Sequence, residues 1–161
     1  MSDSAAHTTS ADDAASYFED FAAGQRFGSG RLTVDAAAIK AFAASYDPQP
    51  FHLDEKAAEQ SLFAGLAASG WHTAALTMRL IVGSDFRPAG GVLGFGGELT
   101  WIKPVRPGDE LRVEAEILET RLSQSRLGFG IVKVRVTTLN QHGETVQTFV
   151  PALLVPCRPA I

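Results

Sequence analysis

A carboxylate and an imidazole lie close together in one proline-rich segment of the 161-residue chain. Asp47 and His52 are five residues apart, with Pro48 and Pro50 between them. On a helix this spacing would separate the two groups, but we expect a stiff, extended loop that bends both toward one pocket. Such a pair can act as general acid and base. Each residue alone is more often structural, since Asp-Pro pairs are common in turns.

Helices are predicted on both sides of this segment. Residues 36–46 carry apolar side chains at the spacing of one helix face, with Asp35 as a candidate N-cap. Pro48 disfavours helical geometry at the residue before it and should end this helix. Asp54 can cap a second, short helix after the proline-rich segment.

A third helix and a run of strands follow in the sequence. Residues 69–83 have apolar side chains around nearly the whole helix circumference, so we expect a core helix with Ser69 as its cap. Strand-like segments rich in Val, Leu, Ile, Thr or aromatics occur at residues 99–102, 110–119, 128–139 and 144–155. Turn-forming residues separate them and indicate an antiparallel meander. The pattern predicts an α+β domain in which the sheet wraps the central helix.

The connector before the first of these strands, residues 87–97, is rich in glycine. It lacks the Gly-Lys-Ser/Thr ending and the following helix of a phosphate-binding loop, so it is not a nucleotide site. We expect a mobile pocket rim or a bulged start of the next strand.

Composition and charge exclude several functional classes. The net charge is −4, with 14 basic and 18 acidic residues and no dense basic run, which argues against nucleic acid and anionic membranes as partners. The longest apolar run, residues 74–83, is far shorter than the roughly 20 residues that span a bilayer. No His, Cys or carboxylate cluster has metal-ligand spacing, so no metal is predicted.

The amino-terminal residues 1–16 are rich in Ala, Ser, Thr and Asp and lack the apolar run of a signal peptide. We predict that they form a disordered tail and that residues 17–157 form a single domain. The single cysteine, Cys157, allows no intrachain disulfide and suits a reducing compartment. These observations together predict a cytoplasmic location.

Three ordered motifs are similar to those of one enzyme family. Residues 47–52, D-P-Q-P-F-H, resemble the D-x-N-P-x-H signature of MaoC-like dehydratases and (R)-specific enoyl-CoA hydratases, with Gln49 where Asn is usual. Residues 68–70 resemble the small-His-Gly motif before the family's central helix, and residues 103–109 its P-V-x-x-G-D turn. The resemblance covers residues 17–156 and implies a single hot-dog domain, an antiparallel sheet wrapped around a central helix.

The resemblance implies a lyase that adds water to, or removes it from, the Cα–Cβ bond of an enoyl or 3-hydroxyacyl thioester. Asp47 and His52 would hold and polarise that water. The Gly70 amide would bind the developing enolate oxygen at the amino terminus of the central helix. Further candidates around the substrate are Ser69 and His72 beside the pocket, and Lys103 and Arg106 for the phosphates of coenzyme A.

No cofactor is expected beyond coenzyme A as part of the substrate. The resemblance also implies a homodimer or higher homo-oligomer, because a meander leaves exposed sheet edges that a second subunit can pair. Residues 92–101, which carry almost no charge, are the candidate for the covered strand; the alternative is burial within one subunit.

Two departures from the family pattern limit the assignment of a substrate. Ser69 replaces the family's usual histidine, and the hydroxyl found later on the helix of bacterial (R)-hydratases falls near Thr77 and Met78. Acyl chain length and branching, the carrier and the direction of reaction therefore stay open. Two alternative functions also stay open: a hot-dog acyl-CoA thioesterase, which would share the fold but not the D-x-N-P-x-H motif, and a non-catalytic acyl-CoA-binding protein.

Overall fold

The computed structural model describes residues 15–161. Within them, the α-helices are α1 (Ala36–Tyr46), α2 (Pro50–Leu53), α3 (Glu55–Glu59) and α4 (Gly70–Val82). The strands are β1 (Arg26–Gly28), β2 (Leu32–Thr33), β3 (Gly94–Trp101), β4 (Glu110–Leu122), β5 (Phe129–Leu139) and β6 (Thr145–Pro156). Of the predicted tail, residues 1–14 lie outside the described part of the chain, while Ser16 forms an isolated parallel bridge with Pro88.

The strands form one antiparallel sheet in the order β1-β4-β5-β6-β3, with β2 also pairing with β4. The long strands β4, β5 and β6 form the predicted meander. The prediction is wrong for β3, which pairs with β6 although β4 follows it in sequence. The edge of β4 that faces away from β5 is already occupied by β1 and β2, so β3 has no place there.

The core lies between this sheet and α4. Buried side chains alternate along β4 and β5, which is the pattern of a sheet with one face against a core. Leu80 and Ile81 of α4 belong to the same buried cluster. The members from the two strands are Val113, Ala115, Ile117, Val132, Val134 and Val136. The prediction of an α+β domain with the sheet wrapped around a central helix is confirmed.

One side of α4 remains uncovered, in contrast to the prediction of a helix buried all round. Trp71, Met78 and Val82 are exposed although they are large and apolar. Strand β3 lies at the edge of the sheet and is exposed along almost its whole length. Burial of this strand within one subunit, the alternative that the sequence left open, is therefore excluded.

Local sequence signals explain how the helices near the proline-rich segment begin and end. Asp35 accepts a hydrogen bond from the amide of Ala38 and caps α1, and Asp54 caps α3 in the same way through Ala57. The prediction of a fully extended loop before Asp54 is wrong, because residues 50–53 form the helical turn α2. Pro50 is the first residue of α2. An amide at this position has no partner within the helix, so proline loses no hydrogen bond there, and its fixed φ suits the helix.

The glycine-rich connector ends in a bulge at the start of β3. The register with β6 shifts between Gly94 and Gly97, as the sequence predicted for a bulged strand start. Gly96 has φ +140°, a conformation that favours glycine, and a side chain at Gly97 would collide with the backbone of Pro151. None of the described helices is long and apolar enough to cross a membrane.

Candidate active site

The proline-rich segment brings Asp47 and His52 together. Asp47 is the residue directly after α1, and its amide still bonds to the carbonyl of Ala43 in that helix. The chain then turns, and the helical turn α2 carries the His52 side chain back toward Asp47. Nε2 of His52 lies 3.3 Å from Oδ2 of Asp47, and the imidazole is 5% exposed. The two predicted catalytic groups therefore share one largely buried position.

A backbone contact selects one tautomer of the neutral His52 imidazole. Its Nδ1 lies 2.7 Å from the carbonyl oxygen of Ala67. A carbonyl only accepts hydrogen bonds, so Nδ1 carries the proton, and in the neutral ring Nε2 has a free lone pair. This nitrogen faces Asp47 and can accept a proton.

Both oxygens of the Asp47 carboxylate accept hydrogen bonds. The hydroxyl of Ser69 donates to Oδ2 over 2.7 Å, and the side-chain amide of Gln49 donates to Oδ1. Burial by itself raises the pKa of Asp47, but the hydrogen bonds from Ser69 and Gln49 outweigh it, and a protonated His52 would lower this pKa further. The pKa of Asp47 consequently lies below its ordinary value, and the group is a carboxylate at neutral pH.

A cavity of about 270 Å³ opens beside His52; Asp47 and Ser69 are not among the residues that line it. It brings His52, Gly70 and Lys103 of the predicted residues together. The remaining walls are largely apolar and come from the α3–α4 connection, α4, the end of β3 and the chain after it: Phe63, Ala68, Thr73, Trp101, Ile102, Pro104 and Val105. An acyl group next to a polar reacting centre would fit this distribution.

Gly70 is the first residue of α4 and lines the cavity, where the side chain of Trp101 packs closely against it. The amides of a helix's first turn have no partner within the helix, so they can bind an anionic oxygen. A Cβ atom at this position would overlap the indole ring of Trp101. Glycine is thus required for packing against Trp101, and the residue also lines the cavity.

Comparison with known proteins identifies the family. The sequence model described as the MaoC-like domain matches residues 20–146. This chain belongs to the MaoC-like domain family. The uncharacterized protein YdeM of Bacillus subtilis is 36% identical to it over 124 residues, which cover 76% of this chain and 86% of YdeM.

Two crystal structures show the same MaoC-like hot-dog fold. The MaoC-like dehydratase from Rhodospirillum rubrum is 56% identical, with a TM-score of 0.86 over 89% of this chain and 99% of that protein. The R-hydratase PhaJ1 from Pseudomonas aeruginosa is 25% identical, with a TM-score of 0.71 over 90% of this chain and 97% of that protein. The predicted family and hot-dog domain are therefore confirmed.

Arg106 of this MaoC-like domain was a candidate for binding the phosphates of coenzyme A, but its side chain contacts the protein backbone. Its guanidinium donates hydrogen bonds to the backbone carbonyls of Phe63, Gly65 and Leu66. These contacts clamp the chain just before Ala67, whose carbonyl holds His52. The geometry favours a structural role over binding of coenzyme A phosphates. Lys103, in contrast, is exposed at the cavity, where it pairs with Glu144.

His72 lies outside the cavity wall, in the interior between α1 and α4. Its ring is 6% exposed and stacks on Phe42 with centroids 4.7 Å apart. Nδ1 is a buried side-chain atom without a hydrogen-bond partner in the described part of the chain. Burial lowers the pKa of His72, so the ring is neutral at neutral pH. We assign it no contact with substrate.

Ser69, Thr77 and Met78 lie at the two positions where the sequence departs from the family pattern. Ser69 is fully buried and contacts Asp47 as described above. Thr77 is also buried, and its hydroxyl is bonded to Thr138 at 2.7 Å and to the side-chain amide of Gln147 at 3.1 Å. Met78 is partly exposed on the uncovered side of α4. The Thr77 hydroxyl thus joins α4 to the sheet.

The sequence did not indicate two cavity residues, Thr73 and Trp101, as parts of the site. Thr73 lies one helical turn after Ser69, a spacing that could have placed it beside the cap. Trp101 offered no such signal, because its position over Gly70 depends on the pairing of β3 with β6. Among residues 15–161, no group of three or more His, Cys, Asp or Glu side chains is arranged to hold a metal ion.

Proposed function

We propose that this protein hydrates enoyl thioesters and dehydrates 3-hydroxyacyl thioesters, with coenzyme A as the carrier. Membership of the MaoC-like family and likeness to an (R)-hydratase support hydratase or dehydratase activity in general. The proposal of an acid–base hydration rests on two hydrogen-bond acceptors. Nε2 of His52, a residue that lines the cavity, lies 3.3 Å from Oδ2 of Asp47. A water molecule that contacts this pair can pass a proton to either acceptor.

The proposed hydration begins with a water molecule in contact with the pair of Asp47 and His52. Its oxygen forms a bond to Cβ while one of its protons passes to the acid–base pair, and the π electrons of the Cα–Cβ bond move toward the thioester carbonyl. The pair then delivers the proton to Cα, so that the elements of one water are added and the pair is restored. Dehydration follows the same steps in reverse.

The enolate formed between these steps carries negative charge on the carbonyl oxygen. We assign its stabilisation to the amide of Gly70, aided by the positive end of the α4 dipole. The helix is 13 residues long, and its first residue lies in the cavity wall next to His52. Donors fixed by the fold stabilise such charge without reorganisation in each turnover.

The arrangement of Ser69 favours this proposal over a serine-dependent thioesterase. A nucleophilic serine needs its hydroxyl proton to be accepted by a histidine. The Ser69 hydroxyl instead donates to Asp47, while Nε2 of His52 faces the same carboxylate oxygen. A thioesterase that uses Asp47 directly on water or thioester, and a non-catalytic binding protein, remain as outcomes of the experiment.

The experiment compares an unsaturated and a saturated thioester. Purified protein is mixed with crotonyl-CoA and, separately, with butyryl-CoA, and both enoyl absorbance and free thiol are followed. We expect loss of enoyl absorbance without release of thiol from either substrate. Thiol release would support the thioesterase, and neither change would support the binding protein. A series of enoyl thioesters that differ in length and branching then defines the acyl group.

We also propose a homodimer that forms through β3. This strand ends the sheet, and its outer edge has no partner within residues 15–161. An unpaired and largely uncharged edge is prone to aggregation unless another chain covers it. Apolar side chains beside β3 extend the same surface. The exposed Trp71 and Met78 of α4 line one pocket with Leu99 of β3, and Trp71 packs against Trp101 with ring centroids 5.1 Å apart. A second copy that pairs its β3 antiparallel would continue the sheet.

A further inference from the structure

Ser69 lies between the amino terminus of α4 and the carboxylate of Asp47. Its side chain is completely buried. Its oxygen accepts a hydrogen bond from the amide of Trp71 at 3.3 Å, and its hydroxyl donates to Oδ2 of Asp47 at 2.7 Å. The same carboxylate oxygen faces Nε2 of His52 at 3.3 Å. One hydroxyl thus connects the helix terminus with the acid–base pair.

The direction of these two hydrogen bonds follows from the chemistry of the groups. The amide of Trp71 can only donate, and an ionised carboxylate can only accept. The single proton of the Ser69 hydroxyl is therefore directed at Asp47. Two hydrogen bonds in line polarise each other, so the partial positive charge of the α4 terminus extends through Ser69 to the carboxylate. Ser69 is then no proton donor to the substrate.

The surroundings of Asp47 make this hydroxyl important. The carboxylate is 17% exposed, and burial opposes its ionisation. Gln49 supports the other oxygen, Oδ1, but it does not contact the oxygen that faces His52. The titratable neighbour of Asp47 is His52 from α2. Ser69 is the side chain that both binds Oδ2 and fixes its angle to the imidazole.

We infer that Ser69 is a positioning residue, which stabilises the charge of Asp47 and orients its Oδ2 toward His52. The inference rests on the proposed function, in which Asp47 accepts a proton from water. It also extends that function, because it assigns a reason for serine at a position where the related motif has histidine. Removal of the hydroxyl should raise the pH at which Asp47 ionises and release Oδ2 from its orientation toward His52, while the residues around the substrate stay in place.

The test uses variants of Ser69 that separate loss of the hydroxyl from loss of the helix cap. Ser69→Ala removes both, whereas Ser69→Gly removes the hydroxyl and keeps a residue that tolerates the cap position. Ser69→Thr keeps the hydroxyl. Asp35→Ala removes the cap of α1, at the opposite end of that helix from Asp47, and serves as the matched control.

Two measurements are made on the full chain. The carboxyl carbon of Asp47, assigned with Asp47→Asn, is titrated by NMR, which requires no activity. The pH profile of kcat/KM for crotonyl-CoA is recorded in parallel. For Ser69→Ala and Ser69→Gly we expect Asp47 to titrate at higher pH, the acid limb of the profile to move with it, and kcat at neutral pH to fall about tenfold with a smaller change in KM.

The outcomes separate the inference from the proposed function. Wild-type titration of Asp47 in both Ser69→Ala and Ser69→Gly would overturn the inference, as would an equal shift in Asp35→Ala. Recovery of the wild-type titration in Ser69→Thr would support it. If no variant or wild-type protein hydrates crotonyl-CoA but the Asp47 titration still follows the Ser69 hydroxyl, the proposed function fails while the positioning by Ser69 stands.

Discussion

The carbonyl oxygen of Ala67 lies 2.7 Å from Nδ1 of His52, and this contact determines which imidazole nitrogen can act as a base. Ala67 is fully buried and is separated by one residue from Ser69, which binds Asp47. A short segment before α4 therefore selects the tautomer of His52 through the Ala67 carbonyl and contacts Asp47 through the Ser69 hydroxyl.

Removal of either member of the pair should abolish most of the activity. We expect Asp47→Asn and His52→Ala each to lower turnover of crotonyl-CoA by about a hundredfold or more, the usual effect of losing an acid–base group. Circular dichroism and thermal unfolding should show a folded protein. The exposed residues Asp85 and His142 give matched controls, Asp85→Asn and His142→Ala, which should keep wild-type turnover. Near-wild-type hydration by Asp47→Asn would contradict the proposed mechanism.

Gly70 and Trp101 should be coupled in stability. Because a Cβ at position 70 would overlap the indole ring, Gly70→Ala should cost about 1–3 kcal/mol in the free energy of unfolding. In a Trp101→Ala background the same change should cost much less. Alanine keeps the backbone amide, so the double variant should retain the kcat of Trp101→Ala. Urea unfolding and steady-state kinetics measure both; an equal cost in the two backgrounds would refute the overlap.

Arg106 should support the site from a distance. Its hydrogen bonds to three backbone carbonyls need the planar guanidinium, which lysine lacks. We expect Arg106→Lys to lower stability by about 1–3 kcal/mol and to lower kcat, with little change in KM for crotonyl-CoA. Lys103→Ala should instead raise KM for the CoA ester and not for the pantetheine thioester, which lacks the nucleotide phosphates. If Arg106→Lys raised KM only for the CoA ester, this result would instead support binding of the coenzyme A phosphates by Arg106.

His72 should make the protein less stable in mild acid. Burial lowers its pKa in the folded state below the ordinary value of 6.5, so the unfolded chain binds the proton more readily. Its contribution is present above pH 6.5 and is lost as the pH falls below that value toward the pKa of the folded state. His72→Phe, which keeps a ring against Phe42, should flatten the free energy of unfolding between about pH 7 and pH 5. His142→Ala should not.

Strand β3 should determine the oligomeric state. Phe95 is 60% exposed near the free edge of the sheet, and a lysine there would place charge in the proposed subunit contact. Analytical ultracentrifugation should give a dimer for the wild type and the monomer mass of 17.1 kDa for Phe95→Lys. Leu62→Lys changes an apolar residue outside β3 that is even more exposed, and this variant should remain dimeric. A monomeric and fully active wild type would exclude the dimer.

Features that depend on local sequence were predictable. Asp35 and Pro48 define the ends of α1, and Asp54 and Ser69 cap the helices that follow, because each signal acts within a few residues of the chain. The pattern of Asp47 and His52 also located the two groups that the structure brings together. In these cases the interacting atoms are near in sequence, so side-chain type and spacing carry the information.

Features that depend on distant partners were not predictable in the same way. The clamp formed by Arg106 requires carbonyl groups some forty residues earlier in the chain, and nothing in a surface-type arginine reveals them. The contact between Trp101 and Gly70 depends on the pairing of β3 with β6, which the sequence did not indicate. Pro50 shows a different limit, since one residue type is compatible with both an extended segment and the first position of a helix.

The side-chain hydrogen bonds that hold Asp47 and His52 come from one continuous stretch, residues 47–69. The opposite wall of the cavity, with Trp101 and Lys103, belongs to a later part of the chain, and residues 83–93 separate the two parts. A genetic crossover within that connector would transmit the acid–base unit intact while exchanging the opposite wall of the cavity. Recombination between relatives can therefore diversify substrate preference without rebuilding the chemistry, and chimeric proteins joined in this connector are the natural starting point for engineering it.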